Sequence, residues 1–339
     1  MYSEVERLTR VLCAPHGTPG CEEEAIAAAA KELSFCDEVI TNPLGGAVGI
    51  FGKRDAKRRI LLDAHIDQIG MVVTNIDDEG FLHVTQVGGV DRRTMPGSIV
   101  TVFGKETLHG IVCVLPPHLA QGGDGKIDPV DRQAIDLGMP KEEVEKLVSI
   151  GDRAILANPL KKLMGNRVSG TALDDRGGCV TIIRAAQLVK DQDLDCCVMV
   201  LCSTREEVGG QGARISTYSL EPTEALAVDV SFATQPGTSG LTSVLGGGPM
   251  IGFSASLDRK MSKRLVELAK ENNIPFQYEA MGGRTGTNCD SISISRGGVR
   301  TGLISLPQRN MHTPAEVCDL EDMENIAKLI AAYIMDKEA

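Results

Sequence analysis

In a chain of 339 residues, 46 acidic side chains outweigh 35 basic ones and leave a net charge of −11, which argues against nucleic acid or an anionic membrane surface as a partner. With 42% hydrophobic and 24% charged residues the chain can bury a full core and is not a disordered segment; its length exceeds the size at which one core stops growing, so more than one domain is expected. Ten cysteines without a C-x-x-C pair, two of them the vicinal Cys196 and Cys197 inside an apolar run, read as reduced and mostly buried thiols rather than a disulfide scaffold.

Taken from the start, M-Y-S-E-V-E-R has no basic-then-apolar signal layout, and no apolar run approaches the ~18 residues of a membrane span, so a soluble cytoplasmic protein is expected. Residues 22–33, alanine-rich with acids in the first turn and a lysine in the last, predict a helix. R-R-I-L-L-D-A-H predicts a buried strand that arrives at His65. From about Gly70 to Gly165 the texture changes to short β-branched or alternating runs, such as V-T-V-F-G and H-G-I-V-C-V-L, separated by glycine and proline. Within that stretch only P-K-E-E-V-E-K-L-V, with Pro140 at the first helical position, looks helical. After it an α/β rhythm resumes. Asp174 precedes the helical pattern C-V-T-I-I-R-A-A-Q-L-V-K; C-C-V-M-V-L-C-S reads as a strand covered on both faces and delivers Glu206 and Glu207; A-L-A-V-D-V ends near Asp229; and G-L-I-S-L leads to His312. The predicted fold class is α/β, a mixed sheet flanked by helices, with a small β-rich domain of barrel or PDZ-like type spliced in. The expected domains are a catalytic one from 1–69 and 166–339 and an insert over 70–165.

His65, Asp67, Asp174, Glu206, Glu207, Asp229 and His312 all fall where an apolar run ends. Open α/β sheets place their sites beyond the carboxyl ends of strands. Imidazole and carboxylate are the ligands that zinc-like dications take, and a carboxylate left over can act as general base for water. Two carboxylates at ~5 Å repel by about 3 kcal/mol at an effective dielectric near 20, so five of them cannot converge without protons or cations to offset the charge. A pair of divalent cations accounts for the collection better than shared protons do, and the pattern reads as a metallohydrolase. Each element also has a plainer reading. H-x-D alone suits a structural histidine, E-E suits a solvated surface pair, and His312 before Thr313–Pro314 can begin a helix with Glu316 completing its cap. His16, His83, His109 and His118 are assigned no role. The glycine runs at 246–249 and 282–287 lack the G-K-[ST] of a phosphate loop and read as turns near the cleft.

In combination and order, N-P-L-G-G, A-H-x-D, P-G-S-I-V, P-P-H at 116–118, I-G-D, G-x-A-L-D-D-R-x-G-C, E-E-V-G-x-x-G-A, A-V-D-V, G-R-T-G-T and M-H-T-P-x-E-V resemble the tetrahedral-type metallo-aminopeptidases of metallopeptidase family 42, over nearly the whole length. The resemblance implies removal of the N-terminal residue of peptides by a centre of two divalent ions, zinc or cobalt first and manganese also tolerated. It implies Asp174 as the ligand shared by both ions, His65 and Asp229 on one, Glu207 and His312 on the other, Glu206 as general base and acid, and Asp67 orienting His65. It further implies a cytoplasmic homo-oligomer, a dodecamer or a dimer, with the insert building the interfaces. The chain departs from the family pattern at Gln68, where A-H-x-D-E is usual, and at Asn288, where G-T-D-A is usual; substrate preference and the tuning of the site are what these departures touch. Two alternatives stay open on the sequence: another dinuclear amide hydrolase, a carboxypeptidase or deacylase that would read a carboxylate through Arg284 or Arg309, and a non-catalytic assembly protein that kept the fold.

Overall fold

The computed structural model describes residues 3–42, 44, 46–116, 118–119, 127–240 and 242–337; Pro43 and Gly45 of N-P-L-G-G and Pro117 of P-P-H lie outside the described residues. Ser3 opens helix α1 (Glu4–Leu12), its hydroxyl accepting from the Glu6 amide, and α2 (Glu23–Glu32) fills the segment predicted as helix. Then come β1 (Glu38–Thr41), β2 (Ala47–Gly52) and β3 (Arg59–His65), the last buried along nearly its whole length. The chain next leaves this sheet. Strands β4 (Gly70–Ile76), β5 (Leu82–Val87), β6 (Ile99–Phe103), β7 (Thr107–Val112), β8 (Ala134–Asp136) and β9 (Arg153–Leu156) form a closed barrel in the order β4-β5-β8-β7-β6-β9. Closure removes the free edges that so short a sheet would otherwise expose, and Met71, Val84, Val100, Val112 and Ile135 fill its centre.

Helix α3 (Lys141–Leu147) lies in this region, one residue later than expected at its start: Pro140 is the cap and not the first helical residue. Its carbonyl accepts from Glu143 and Val144 while its own backbone stays extended, a use of proline that costs no hydrogen bond.

Strands β10 (Lys161–Lys162) and β11 (Arg167–Gly170) lead back to the first body, followed by α4 (Leu173–Val189), β12 (Cys197–Ser203), α5 (Gln211–Leu220), β13 (Glu224–Phe232), β14 (Met250–Phe253), α6 (Arg259–Glu271), β15 (Gln277–Ala280), α7 (Cys289–Ile292), β16 (Arg300–Gln308), β17 (Glu316–Asp319) and α8 (Leu320–Met335). Eight strands make a mixed sheet in the order β1-β2-β12-β3-β13-β16-β14-β15. Its centre, β12-β3-β13-β16, is parallel, and these are the strands that read as continuous apolar runs because both faces are covered. On one face pack α1, α2, α4, α6 and α8; on the other, α5 and α7.

His312 does not begin a helix. It sits in the left-handed region (φ 62), Glu316 starts β17, and Asp319 caps α8 by accepting from the Glu321 amide. All ten cysteines are free, and six are buried. Among the described residues no helix is long and apolar enough to cross a membrane.

Candidate metal centre and active-site cleft

Parallel pairing puts the ends of β3 and β12 side by side, with His65 opposite Ser203, and β13 brings Asp229 alongside. Asp174 enters from the other side of the strand ends, in the non-helical first turn of α4. The Asp174 carboxylate lies between two imidazoles: Oδ1 is 3.2 Å from His65 Nε2, and Oδ2 is 3.3 Å from His312 Nε2. Asp229 Oδ1 flanks His65 Nε2 at 3.9 Å, and Glu207 Oε1 flanks His312 Nε2 at 3.6 Å. Glu206 reaches the same point, its Oε2 4.0 Å from His65 Nε2, and keeps 18% of its side chain exposed to the cleft. All seven residues singled out in the sequence therefore meet.

Asp67 meets them in two ways. Its carbonyl is 3.1 Å from His65 Nδ1, closer than its carboxylate at 3.6 Å, which fixes a ring orientation that leaves Nε2 facing Asp174. The Asp67 carboxylate itself accepts the amides of Glu206 and Glu207, at 3.1 and 3.2 Å. One side chain thus sets the aim of the paired glutamates while its backbone sets that of the histidine.

Residues outside the predicted set complete the frame. Glu316 is fully buried and accepts from the amides of both Asp174 and His312, each at 3.2 Å, so it clamps the two halves of the site. Asp175 accepts from the amides of His65 (3.3 Å) and Gly178 (3.1 Å). The barrel contributes as well: a Cβ on Gly89 would stand 2.5 Å from His312 Nδ1, so only glycine lets the loop after β5 close over that ring. The D-D doublet and the glutamate of M-H-T-P-x-E-V were visible in the sequence. What they do was not, because they act through backbone amides that only the tertiary fold brings near.

The electrostatics report crowding. Burial pushes Glu206 and Asp229 above the ordinary carboxylate range and Glu207 up to about 8. For Asp174 burial acts upward too, but hydrogen bonds from His312 and His65 outweigh it and hold the carboxyl below its usual value. The hydrogen bond to Asp174 lifts His312 to about 9. Burial works against a charged His65, yet Asp174, Asp67, Asp229 and Glu206 together raise it well above 6.5. Two imidazoles are too little positive charge for this many buried acids. Cations fit: ligand atoms of His65, Asp174 and Glu207 lie within 4.8 Å of one another, as do those of His65, Asp175 and Asp229, a nitrogen–oxygen donor set of the kind divalent transition metals take.

The cleft over this cluster, about 260 Å³, is lined by Ser231, Phe232, Glu279, Met281, Thr285 and Leu303, among others. The turn at 282–287 thus does border it. None of the remaining four histidines lines it: His16 stacks on Phe103 with ring centroids 3.7 Å apart, His83 meets Asp77 at 3.1 Å, His109 meets Thr101, and His118 is exposed. Arg284 is exposed, and the guanidinium of Arg309 donates to the Thr234 carbonyl; neither lines the cleft.

An α/β sheet with a carboxylate–imidazole cluster at its strand ends and a barrel loop closing over His312 is an arrangement suited to a metallopeptidase. The chain belongs to the M42 glutamyl aminopeptidase family, whose model matches residues 45–329. It is 34% identical over 305 residues to a lysyl aminopeptidase of Pyrococcus furiosus, covering 88% of this chain and 87% of that one. Among solved structures, aminopeptidase APDkam598 of the archaeon Desulfurococcus kamchatkensis superimposes with a TM-score of 0.91 at 32% identity, over 98% of this chain and 94% of that one. The TET1 peptidase of Pyrococcus horikoshii, which can assemble into a tetrahedron or a large octahedral shell, gives 0.87 at 31% identity, over 98% and 100%. The chain is an aminopeptidase, a hydrolase acting on peptides, and not a non-catalytic relative.

Proposed function

We propose that this aminopeptidase works through two divalent ions, zinc or cobalt in the first place and manganese also compatible, held by His65, Asp174 and Asp229 on one side and Asp174, Glu207 and His312 on the other. The observation that carries this reading is the division of the Asp174 carboxylate, one oxygen toward each imidazole at 3.2 and 3.3 Å. Bound there, the ions supply Lewis-acid polarisation of the scissile carbonyl and acidify water.

The side chains do the rest. Glu206 belongs to neither ligand set, reaches to 4.0 Å of His65 Nε2 and faces the cleft, which suits it to take a proton from the attacking water and return it to the departing amine. Asp67 holds Glu206 and Glu207 by their amides, so base and ligand keep a fixed separation. Glu316 keeps the Asp174 and His312 backbones in register with each other. The cleft offers a substrate carboxylate no lysine or arginine among its lining residues, which speaks for a free amino end and against a carboxypeptidase or a deacylase that reads a carboxylate.

Glu206→Gln keeps size and hydrogen-bonding atoms but removes the base. Turnover of aminoacyl substrates is expected to fall about 10²–10⁴-fold, with metal content by elemental analysis as in wild type. Turnover like that of wild type would remove Glu206 from the mechanism. Stepwise digestion of one defined peptide, free and N-acetylated, with zinc, cobalt or manganese added, reads polarity and metal together.

The insert over 70–165 serves assembly in this reading, and the working form is a cytoplasmic homo-oligomer, a dodecamer or a dimer, with peptides as substrates. The barrel surface supports it: Ile99 and Ile111 pair across β6 and β7 with 55% and 46% of their surface exposed, and Leu115 follows at 69%.

A further inference from the structure

The cleft carries one acid that neither ligates nor acts as base in the mechanism above. Glu279 projects from β15 at the edge of the sheet, and its carboxylate spans two serine hydroxyls: Ser231 donates to Oε1, and Ser305 donates to Oε2 at 2.6 Å. Ser231 lies on β13 two residues beyond Asp229, and Ser305 stands opposite Asp229 on the neighbouring β16. Glu279 pairs with Gly252 of β14, so β14 separates its backbone from β16 and the side chain reaches across to Ser305. The carboxylate is thereby fixed in place, and of its roughly four acceptor directions two remain for a ligand.

From this we infer that Glu279 is the selectivity residue for the side chain of the substrate's first residue and that the preferred first residue is cationic, lysine or arginine. The inference rests on the aminopeptidase reading of the cleft. Two residues along a strand span about 6.6 Å, so Glu279, anchored on Ser231, sits that order of distance from the Asp229 end of the cluster. With its carbonyl at the cluster, the first residue has its α-ammonium one bond from Cα, too near to reach Glu279. A lysine Nζ stands five bonds from Cα, roughly 6 Å when extended, and does reach it. The wall between is apolar: Leu303, Met281 and Met311 line the cleft and would cover the aliphatic stem while the charged head meets the carboxylate. Apart from His312, every ionisable group among the lining residues is acidic, so a glutamyl or aspartyl first residue meets repulsion and no partner.

The test is kcat/KM for lysyl, arginyl, leucyl and glutamyl 4-nitroanilides with the metal-loaded full chain, run beside thermal-shift titrations with free L-lysine and L-leucine, which read binding without turnover. Lysyl and arginyl substrates are expected to lead, glutamyl to come last, and L-lysine to raise the melting temperature more than L-leucine. Glu279→Gln should cut the lysyl-to-leucyl ratio on the order of tenfold or more, mainly through KM, and remove the excess shift by lysine. Glu279→Lys should favour the glutamyl substrate. A wild-type preference for leucyl or glutamyl, or a ratio unmoved in Glu279→Gln, overturns the inference while leaving the aminopeptidase reading in place. No hydrolysis of any free-amine substrate would sink that reading instead, and equal shifts by lysine and leucine would then sink the Glu279 inference separately.

Discussion

Asn288 stands where the family pattern has an acid, and the structure gives it a specific partner. Its Nδ2 donates to Asp63 Oδ2 at 2.9 Å and to Ser203 Oγ at 3.0 Å, in a fully enclosed position under the strand ends. The pair carries one carboxyl group, on Asp63. Asn288→Asp would set a second carboxylate against it and remove the amide that donates to Asp63 Oδ2. The expected cost is about 2–4 kcal/mol, seen as a lower melting midpoint at pH 8, with metal content unchanged because neither residue is in either proposed ligand set. A variant as stable as wild type would mean that the pocket admits water or a cation between the two acids. Residues of this kind mark the limit of reading a site from a sequence. His65, Asp174, Glu206, Glu207, Asp229 and His312 were legible because each bears chemistry and each ends an apolar run. Glu316, Asp175 and the amide-binding side of Asp67 were not, because a carboxylate that receives backbone N–H groups from distant segments leaves no spacing to recognise.

Among elements, the parallel strands were the most legible, since a strand covered on both faces must be apolar throughout. The stretch after His312 was the least. T-P-A-E has the composition of a helix start, yet the Glu316 carboxylate that would complete such a cap is taken by the amides of Asp174 and His312, and the helix waits for Asp319. The start of α8 shows the same use of acids on amides. Asp322 accepts from Gly246 and Gly248, both at 2.7 Å, and burial pushes its carboxyl up to about 6. A folded-state value above the unfolded one means that the native protein holds a proton the unfolded chain releases. The associated stability is present in full below about pH 4 and is lost as pH rises through 6, about 3 kcal/mol in all. Asp322→Asn cannot titrate. It should cost about 1 kcal/mol at low pH, where one amide loses its acceptor, and should flatten the decline of denaturant midpoint between pH 4 and 7. An unchanged slope would place that titration elsewhere. The loop after β5 gives a second expectation at this scale. Gly89→Ala drives a methyl into the His312 ring, so metal content and turnover should each fall at least about tenfold while the barrel, whose core is untouched, stays folded. Normal metal uptake would show that the ring can yield.

On the scale of the molecule, the charge at the strand ends and the apolar skin of the barrel make separate demands. Buried acids that crowd one another in the absence of cations favour any ligand that binds only the folded state. An ion present at a thousandfold over its Kd adds about 4 kcal/mol, so exhaustive chelation should lower the melting temperature and re-addition should restore it. Unchanged melting would count against the cluster as a metal centre. In the proposed assembly, association would cover the barrel's apolar skin. Ile99 and Ile111 point away from the barrel core, which Val100 and Val112 already fill, and as a cross-strand pair they contribute at most about 1 kcal/mol to the fold of a lone subunit. Replacing both by lysine removes apolar area and adds like charges to each copy of the same surface. The expected outcome by sedimentation or mass photometry is a fall from the homo-oligomer to a smaller species, with the chain still folded and still cleaving small aminoacyl substrates, because the centre is built from the first body and a single loop of the barrel. An assembly that kept its mass would place the interface on another face. A loss of turnover on small substrates along with the assembly would show instead that the closing of that loop over His312 depends on a neighbouring copy.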